Sequence, residues 1–249
     1  MHSNSLKIAL GQLFGARLHL GQSKNKLNSN VICYVRGLRH GISILNLEAM
    51  LYNLRIVHAA MVEMAATRGV FFLFSGAHNL LVASLIHMFF SKYNSAKNKN
   101  HIYINAITTG TWVHGLFSNW PIVRAYIADL KKLKTKNIVQ RASLINLQRV
   151  KYLYKKIIPD LALFFQGDAE SIKEIKDCNV PVIGITDGLC NPKDFLYALL
   201  GNSENAESIL FFCQFMEDAF RVGRLEEQEK FLYYFILKIK KNIINENVK

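Results

Sequence analysis

The sequence predicts an α/β fold: a doubly wound, mainly parallel sheet with a short inserted helical hairpin and an extra C-terminal helix. Three observations carry this. The continuous apolar runs VFFLF (70–74), DLALFF (160–165) and VPVIGI (180–185) have the composition of strands buried on both faces. Stretches of helical periodicity separate them, and strands alternating with helices give a mainly parallel sheet covered on both sides. Two successive helical patterns over 122–157, with no strand between them, interrupt the alternation.

Taken in order, VICYV (31–35) and ISIL (42–45) read as β-branched and aliphatic strands joined by the turn RGLRHG. Asn46 caps the helix that follows, whose apolar positions Leu47, Leu51, Leu54, Val57, Met61 and Met64 lie close to the 3.6-residue period. After the strand at 70–74, SGAHNLLVASLIHMFF reads as a turn and helix, and HIYINAI (101–107) as the next strand. In the inserted hairpin, Ile122, Tyr126, Ile127, Leu130 and Leu133 form one stripe; Leu147, Val150, Tyr154 and Ile157 form the other. DAESIKEIKDC is an amphipathic helix between the strands at 160–165 and 180–185. A helix over 203–221 then sets Ile209, Phe212, Phe215, Met216 and Phe220 on one face. The last 28 residues, with KFLYYFILKIKK, form a further amphipathic helix, open to contact with a partner or a membrane surface. The chain thus divides into a flavodoxin-like sheet domain (1–120 and 158–222), a basic helical hairpin (121–157) and a C-terminal helical extension (223–249).

Charge is distributed unevenly. Residues 1–157 carry 21 Lys and Arg against the acids Glu48, Glu63 and Asp129, whereas residues 158–249 carry 10 bases and 15 acids. The balances are +18 and −5, within a net charge of +13. So one-sided a surface repels itself unless a polyanion neutralises it, and nucleic acid is the commonest such partner because neutralised phosphates release counterions. The hairpin concentrates the effect, with ten bases against Asp129 alone. No apolar run reaches the roughly 18 residues a bilayer span needs, so no stable membrane insertion is expected. Cys33, Cys178, Cys190 and Cys213 show neither C-x-x-C spacing nor the density of a disulfide framework, and read as small buried hydrophobes in a reducing compartment. The acid-free start, bearing Ser and Arg, resembles a mitochondrial targeting segment. Yet structured patterning begins by Gly15, so either a presequence has been removed or the chain is made inside an organelle.

Doubly wound enzymes work at the carboxyl ends of their strands. Here the loop after Phe74 is SGAHN, with neither G-x-G-x-x-G nor G-x-x-x-x-G-K-[ST]. The loop after Ile185 is TDGLCNP, where Asp187 has no second acid near it in sequence. The eight histidines fall at spacings no metal site uses, and no G-x-S-x-G elbow is present. No catalytic residues, metal ligands, cofactor or small-molecule substrate emerge from these patterns.

Several motifs together resemble a known family. GARLHLG (15–21), Asn28 and YVRGLRHGISILNLEAM (34–50) are similar to the N-terminal signature of the universal small-subunit ribosomal protein S-two family. FLFSGAHN looks like its strand followed by a VGTK-type turn, and TWVHGLFSNW (111–120) resembles its RWLGGMLTNW. PDLALFFQGDAESIKEIKDCNVPVIGITDGLCNP (159–192) resembles its PD, helix and IPVIGIVDTN.DP section, and Leu200-Gly201-Asn202 stands where PGN is expected. The likeness runs in order from Gly15 to Phe220. Departures are Thr111 for an arginine, His114 for the first glycine of a pair, Ser203 for an aspartate, and a hairpin shorter than the bacterial coiled coil.

The resemblance implies a non-enzymatic structural constituent of the small ribosomal subunit that binds small-subunit rRNA beside neighbouring small-subunit ribosomal proteins. With its basic, altered signatures it points to the mitochondrial matrix and the mitochondrial ribosome, the alternatives being bacterial cytoplasm or plastid. The candidate rRNA contacts are Arg17, His19, Lys24, Lys26, Arg36, Arg39 and His40, with Lys131, Lys132, Lys134, Lys136, Arg141 and Lys151 in the hairpin. Phosphate neutralisation and shape recognition would carry the binding. The matching positions Gly21, Gly41, Trp112, Gly115, Asn119, Trp120, Pro159, Asp160, Pro181, Asp187, Pro192, Gly201 and Asn202 read as architecture. In TWVHGLFSNW the tryptophans bury aromatic area, and Asn119 caps a helix that starts at Pro121. An α/β nucleotide-binding enzyme, and a membrane-peripheral or partner-docking scaffold using the last helix, are the alternative readings.

Overall fold

Five runs that the sequence fills with Val, Ile, Leu and Phe pair side by side as a parallel sheet. The computed structural model describes residues 8, 10–76, 84–86, 88–89, 103–108, 112, 114–115, 117–119, 121–122, 125, 159–166 and 169–247. Its elements are α1 (Leu10–Gly15), β1 (Leu20–Ser23), β2 (Val35–Arg39), β3 (Ile42–Leu45), α2 (Leu47–Ala66), β4 (Val70–Phe74) and β5 (Tyr103–Thr108). There follow β6 (Leu161–Phe164), α3 (Ala169–Asp177), β7 (Val182–Thr186), β8 (Tyr197–Leu200) and α4 (Ala206–Asn247). The large sheet runs β5-β4-β6-β7-β8 with every neighbouring pair parallel. Counted within the sheet this is the flavodoxin-like order, with its topological switch point between β4 and β6.

Period-two alternation sorts the strand side chains between two cores. Phe71, Leu73, Leu161, Leu163, Ile183 and Ile185 face α2 and α4, where they meet Leu54, Val57, Met61, Ile209, Phe212 and Phe220. Phe72, Phe74, Ala162, Phe164 and Val182 face the other way, onto Ile172 and Ile175 of α3 and onto Trp112 and Phe117. Helices therefore cover both faces, as the fold class requires. The predicted α2 forms with Asn46 as its cap, the side-chain oxygen accepting from the Glu48 N–H at 3.1 Å. Its stripe is rotated slightly from the predicted one: Leu54, Val57 and Met61 are buried, while Leu51 and Met64 lie at the margin.

Four sequence expectations are corrected. Val31–Val35 is not a strand. Ser29–Tyr34 is a 3₁₀ helix, because the Asn28 side chain accepts from the Asn30 N–H at 3.0 Å and only Val31 points inward. The strand instead runs through Val35–Arg39, most of it read as turn, because the true turn is His40-Gly41 alone. Both residues have positive φ (50° and 77°), the signature of a two-residue hairpin, and this fixes Arg39 opposite Ile42. Asp194 closes a 3₁₀ turn, Pro192–Asp194, and the unread strand β8 follows it. The last helix does not start at residue 203: Asn202 accepts from Glu204 and Asn205, and Asn205 from Glu207, delaying it to Ala206. Nor does it break near Phe220, since α4 continues unbroken to Asn247.

The remaining unread strand, β1, completes a small antiparallel sheet of order β1-β3-β2. Of the helical hairpin expected over 121–157, Pro121 and Ile122 are helical, and the stretch beyond Ala125 lies outside the described residues.

Candidate nucleic-acid interface

The small sheet is built so that one end of it is basic. β1 pairs with β3 and ends at Ser23 opposite Ile42, which brings Lys24 beside the hairpin tip; its N–H donates to the Gly41 carbonyl at 2.9 Å. Lys24 and Lys26 flank one short 3₁₀ turn, and Arg39 and His40 form the tip of the neighbouring hairpin. All four side chains are exposed, and among the described residues no carboxylate pairs with Lys24, Lys26 or Arg39. The two-residue turn sets the register of its flanking strands, so Lys24, Lys26 and Arg39 form a group of cations with His40 beside them.

The other early candidates sit apart. Arg17, itself at φ 56°, bonds Glu207 of α4 at 3.0 Å. Arg36 projects from the middle of β2 and stands 3.8 Å from Glu48, an exposed and weak pair. His19 is turned inward: its ring stacks on Phe14 with centroids 4.2 Å apart, and burial lowers its pKa. It is therefore a neutral ring at neutral pH, suited to stacking more than to phosphate pairing. Lys131, Lys132, Lys134, Lys136, Arg141 and Lys151 lie outside the described residues.

The TWVHGLFSNW turn is organised around a residue that the sequence did not single out. The Glu174 carboxylate of α3 accepts from Trp112 Nε1 (2.8 Å), Gly115 N (3.1 Å), Phe117 N (2.8 Å) and Ser118 N (3.2 Å). Burial alone would raise its pKa, but the bonds from Trp112, Phe117, Ser118 and Gly115 together outweigh this and hold the carboxyl below its ordinary value. Trp112, only 7% exposed, stands edge-on to Phe72 and Phe74 and parallel to Phe117. Gly115 has φ 80°, which lets the chain turn beneath the carboxylate, and its carbonyl accepts from Asn119 N at 3.1 Å. Trp120 lies outside the described residues. Within the sequence Glu174 is one more polar residue of an amphipathic helix; its half-buried place between Ser171 and Ile175 is the only signal.

Among the described residues, backbone approaches backbone at the ends of two neighbouring strands. Gly76 follows β4 and Gln166 follows β6, the two sides of the switch point; a Cβ on Gly76 would lie 1.7 Å from the Gln166 carbonyl oxygen. Backbone thus meets backbone where such folds open a ligand crevice. Asp187, 4% exposed, accepts from Ser203 Oγ (2.7 Å), Gln22 Nε2 (2.9 Å) and Leu189 N (3.2 Å). Gln166 Nε2 donates to the Ser203 carbonyl at 2.8 Å. Gln22 and Gln166, not singled out from sequence, and Ser203, noted there only as standing for an aspartate, tie the small sheet to the ends of β6 and β7 through this buried carboxylate. Among the described residues no group of three metal-ligating side chains gathers.

The other matching positions also meet backbone or core. Asp160 accepts from Val70 N at 2.7 Å and so starts β4, next to buried Pro159. The Pro181 carbonyl accepts from Ala162 N, and Pro192 opens its 3₁₀ turn. Gly21 approaches Ser43 too closely for a side chain, and Gly201 packs under Phe212 while its N–H donates to Thr186.

Comparison with known proteins gives this geometry a context. The family model described as ribosomal protein S2 matches residues 13–223. A Phenylobacterium zucineum protein named small ribosomal subunit protein uS2 is 27% identical, the match covering 87% of this chain and 75% of that protein. One named small ribosomal subunit protein uS2c from Trieres chinensis is 26% identical over 88% of this chain and 97% of its own. Another uS2c, from Galdieria sulphuraria, is 23% identical over 89% of this chain and 96% of its own.

Proposed function

The chain belongs to the ribosomal protein S2 family, and from that premise we propose that it is a structural constituent of the small ribosomal subunit, anchored to small-subunit rRNA by phosphate contacts. The observation that supports the anchoring is the cluster Lys24, Lys26, Arg39 and His40 at one end of the small sheet, exposed and fixed by the His40-Gly41 turn. Cations held in one geometry read the spacing of phosphates and carry no base code, which suits shape recognition of folded RNA. The hairpin bases Lys131, Lys132, Lys134, Lys136, Arg141 and Lys151 extend the same field along the sequence, with Arg17, Arg36 and His19 as lesser contributors. Neighbouring small-subunit proteins complete its surroundings.

No catalysis is proposed: among the described residues Gly76 stands against Gln166 at the switch point, and the Asp187 carboxylate accepts from Ser203, Gln22 and Leu189. The basic N-terminal two-thirds and the departures at Thr111, His114 and Ser203 favour a mitochondrial ribosome over a bacterial or plastid one. A salt titration of rRNA-fragment binding tests the anchoring. Replacing Lys24, Lys26 and Arg39 by Ala should lower the slope of log K against log salt by about one per lost phosphate contact. Arg17→Ala, which removes an arginine already bonded to Glu207, should change it far less. An unchanged slope in the triple variant would place the RNA elsewhere.

A further inference from the structure

Between α1 and the small sheet lies a cavity of about 450 Å³, with Leu10, Phe14, His19, Arg36, Ile44 and Glu48 in its lining. One wall is aromatic and open to water. Phe14 is 61% exposed, although its ring lies parallel to that of His19, with an angle of 5° between the planes and 4.2 Å between centroids. His19 thus covers one face of the phenyl ring and the other face is free. Among the described residues the His19 side chain makes no hydrogen bond, and its Nδ1 is buried without a partner. Stacking alone therefore sets the plane of the pair. An exposed aromatic face is costly in water and is best covered by another flat group.

The backbone beside the cavity is shaped for close approach. Val35 pairs with Leu45 and Gly37 with Ile44, which leaves Arg36 as the extra residue of a β-bulge. A bulge re-aims a side chain, and this one sets Arg36 at the cavity, 3.8 Å from Glu48. Gly11 lines the cavity from within α1, and Gly37 lies within β2 opposite Ile44. Neither has positive φ, and a Cβ on either would meet nothing within 4 Å. Glycine weakens a helix or strand interior relative to alanine, and no turn or packing contact among the described residues calls for it here. What the two missing side chains leave is room for a group from outside.

Charge indicates which group. Ile42 and Ile44 point to the same face of β3, and Arg39 is paired with Ile42. The exposed bases of the hairpin tip therefore stand about 7 Å of strand from the cavity, on its own face. An apolar peptide or an acyl chain would leave Arg36 and Arg39 without a counter-charge, and a free phosphate in the cavity would meet Glu48. An unpaired nucleotide suits every wall. Its base covers Phe14, an N–H of the base edge reaches the Glu48 carboxylate, and its phosphates lie toward Arg36 and Arg39.

We propose that this cavity takes one unpaired base of small-subunit rRNA, stacked on Phe14 as the third ring of the His19–Phe14 column. The proposal rests on the rRNA reading above and adds to its phosphate contacts one that carries no charge. Stacking accepts the face of any base, so the site selects an unpaired nucleotide and not a sequence.

Two variants separate stacking from charge. Phe14→Leu keeps an apolar side chain at an exposed position and removes the ring; Gly11→Leu fills the cavity from a position where the fold offers no clash. The full chain and each variant are titrated, at several salt concentrations, into small subunits stripped of the native chain by salt, and urea unfolding is followed alongside. Both variants should bind about 5- to 150-fold more weakly, the loss of one base–aromatic stack. The slope of log K against log salt should be unchanged, because no phosphate contact is lost. Their urea midpoints should match the parent's, and Phe14→Tyr should bind as the parent does. Ultraviolet irradiation of native small subunits should give adducts between residues 10–19 and an unpaired nucleotide. Parental affinity in Phe14→Leu or Gly11→Leu, a loss shared by Phe14→Tyr, a lowered slope, urea midpoints lowered in both variants, or adducts confined to other segments would each overturn the proposal and leave the phosphate anchoring standing. A parent chain that neither rebinds to stripped subunits nor forms an adduct at any segment would overturn the ribosomal reading, and the proposal with it.

Discussion

Glu174 shows how much one side chain decides. Four N–H groups of the turn at 112–118 converge on its carboxylate, and the Ser118 hydroxyl lies 3.3 Å away. Hydrogen bonds to a charged group contribute about 1.5–3 kcal/mol each in favourable cases, and an amide at this position would set its own NH₂ against those donors. Glu174→Gln should therefore destabilise the protein by about 1–3 kcal/mol in urea unfolding. The pH dependence has a definite sign. Because the folded carboxyl titrates below its ordinary value of 4.5, its contribution is complete above that pH and fades as pH falls through the folded value. The gap between parent and Glu174→Gln should be constant near neutrality and shrink below about pH 4.5; a gap that persists undiminished in acid would contradict the anchoring. Trp112 is the other half of the device. Its indole N–H is spent on Glu174 and its ring fills the space between Phe74 and Phe117, so Trp112→Ala should cost on the order of 3–5 kcal/mol. Melting like the parent would mean the ring is not packed.

At the scale of elements, α2 and α4 lie side by side on one face of the sheet, their contact held open for close approach by small residues. A Cβ on Gly223 would fall 2.5 Å from the Ala65 Cβ and 2.6 Å from the Val62 carbonyl. Gly223→Ala, favourable for an isolated helix, should here push the helices apart and lower stability by about 1–3 kcal/mol, read by thermal or urea denaturation. A stabilised variant would show that the seam is loose. The ion pairs Arg17–Glu207 and Arg68–Glu227 and the 3.3 Å contact between His58 and Asp218 run along this same side, so acids of α4 that look free in sequence are engaged within the fold. Legibility followed burial. Strands buried on both faces, such as VFFLF and VIGIT, were readable because composition alone marks them. β1 and β2 were missed or misplaced: LGQS and VRGLR are short and hold no buried residue, and β2 owes its pairing to the His40-Gly41 turn rather than to any alternation. The bases at the sheet end were readable as charges, but which of them gather was not. Arg17, Arg36 and Lys24 are equivalent in sequence, and only topology separates the two with carboxylate partners from the one without, among the described residues. Glu174 was silent for a similar reason, its role depending on donors 56–62 positions away, and Ser203, visible only as a departure from the family's aspartate, finds its acceptor Asp187 16 positions away.

The whole molecule is a doubly wound domain of the ribosomal protein S2 family that, among the described residues, sets exposed bases at one end of its small sheet, to which the sequence of the inserted segment adds ten more. Phosphate contacts weaken with salt, so attachment through these bases should weaken as ionic strength rises. The central claim is that this chain lives in the small ribosomal subunit. The most direct test is a sucrose gradient of native lysate, at moderate and high salt, following the chain beside small-subunit rRNA. Co-migration with the small subunit that survives moderate salt is the expected result. A chain found at the top of the gradient as a free protein of its own mass would contradict it.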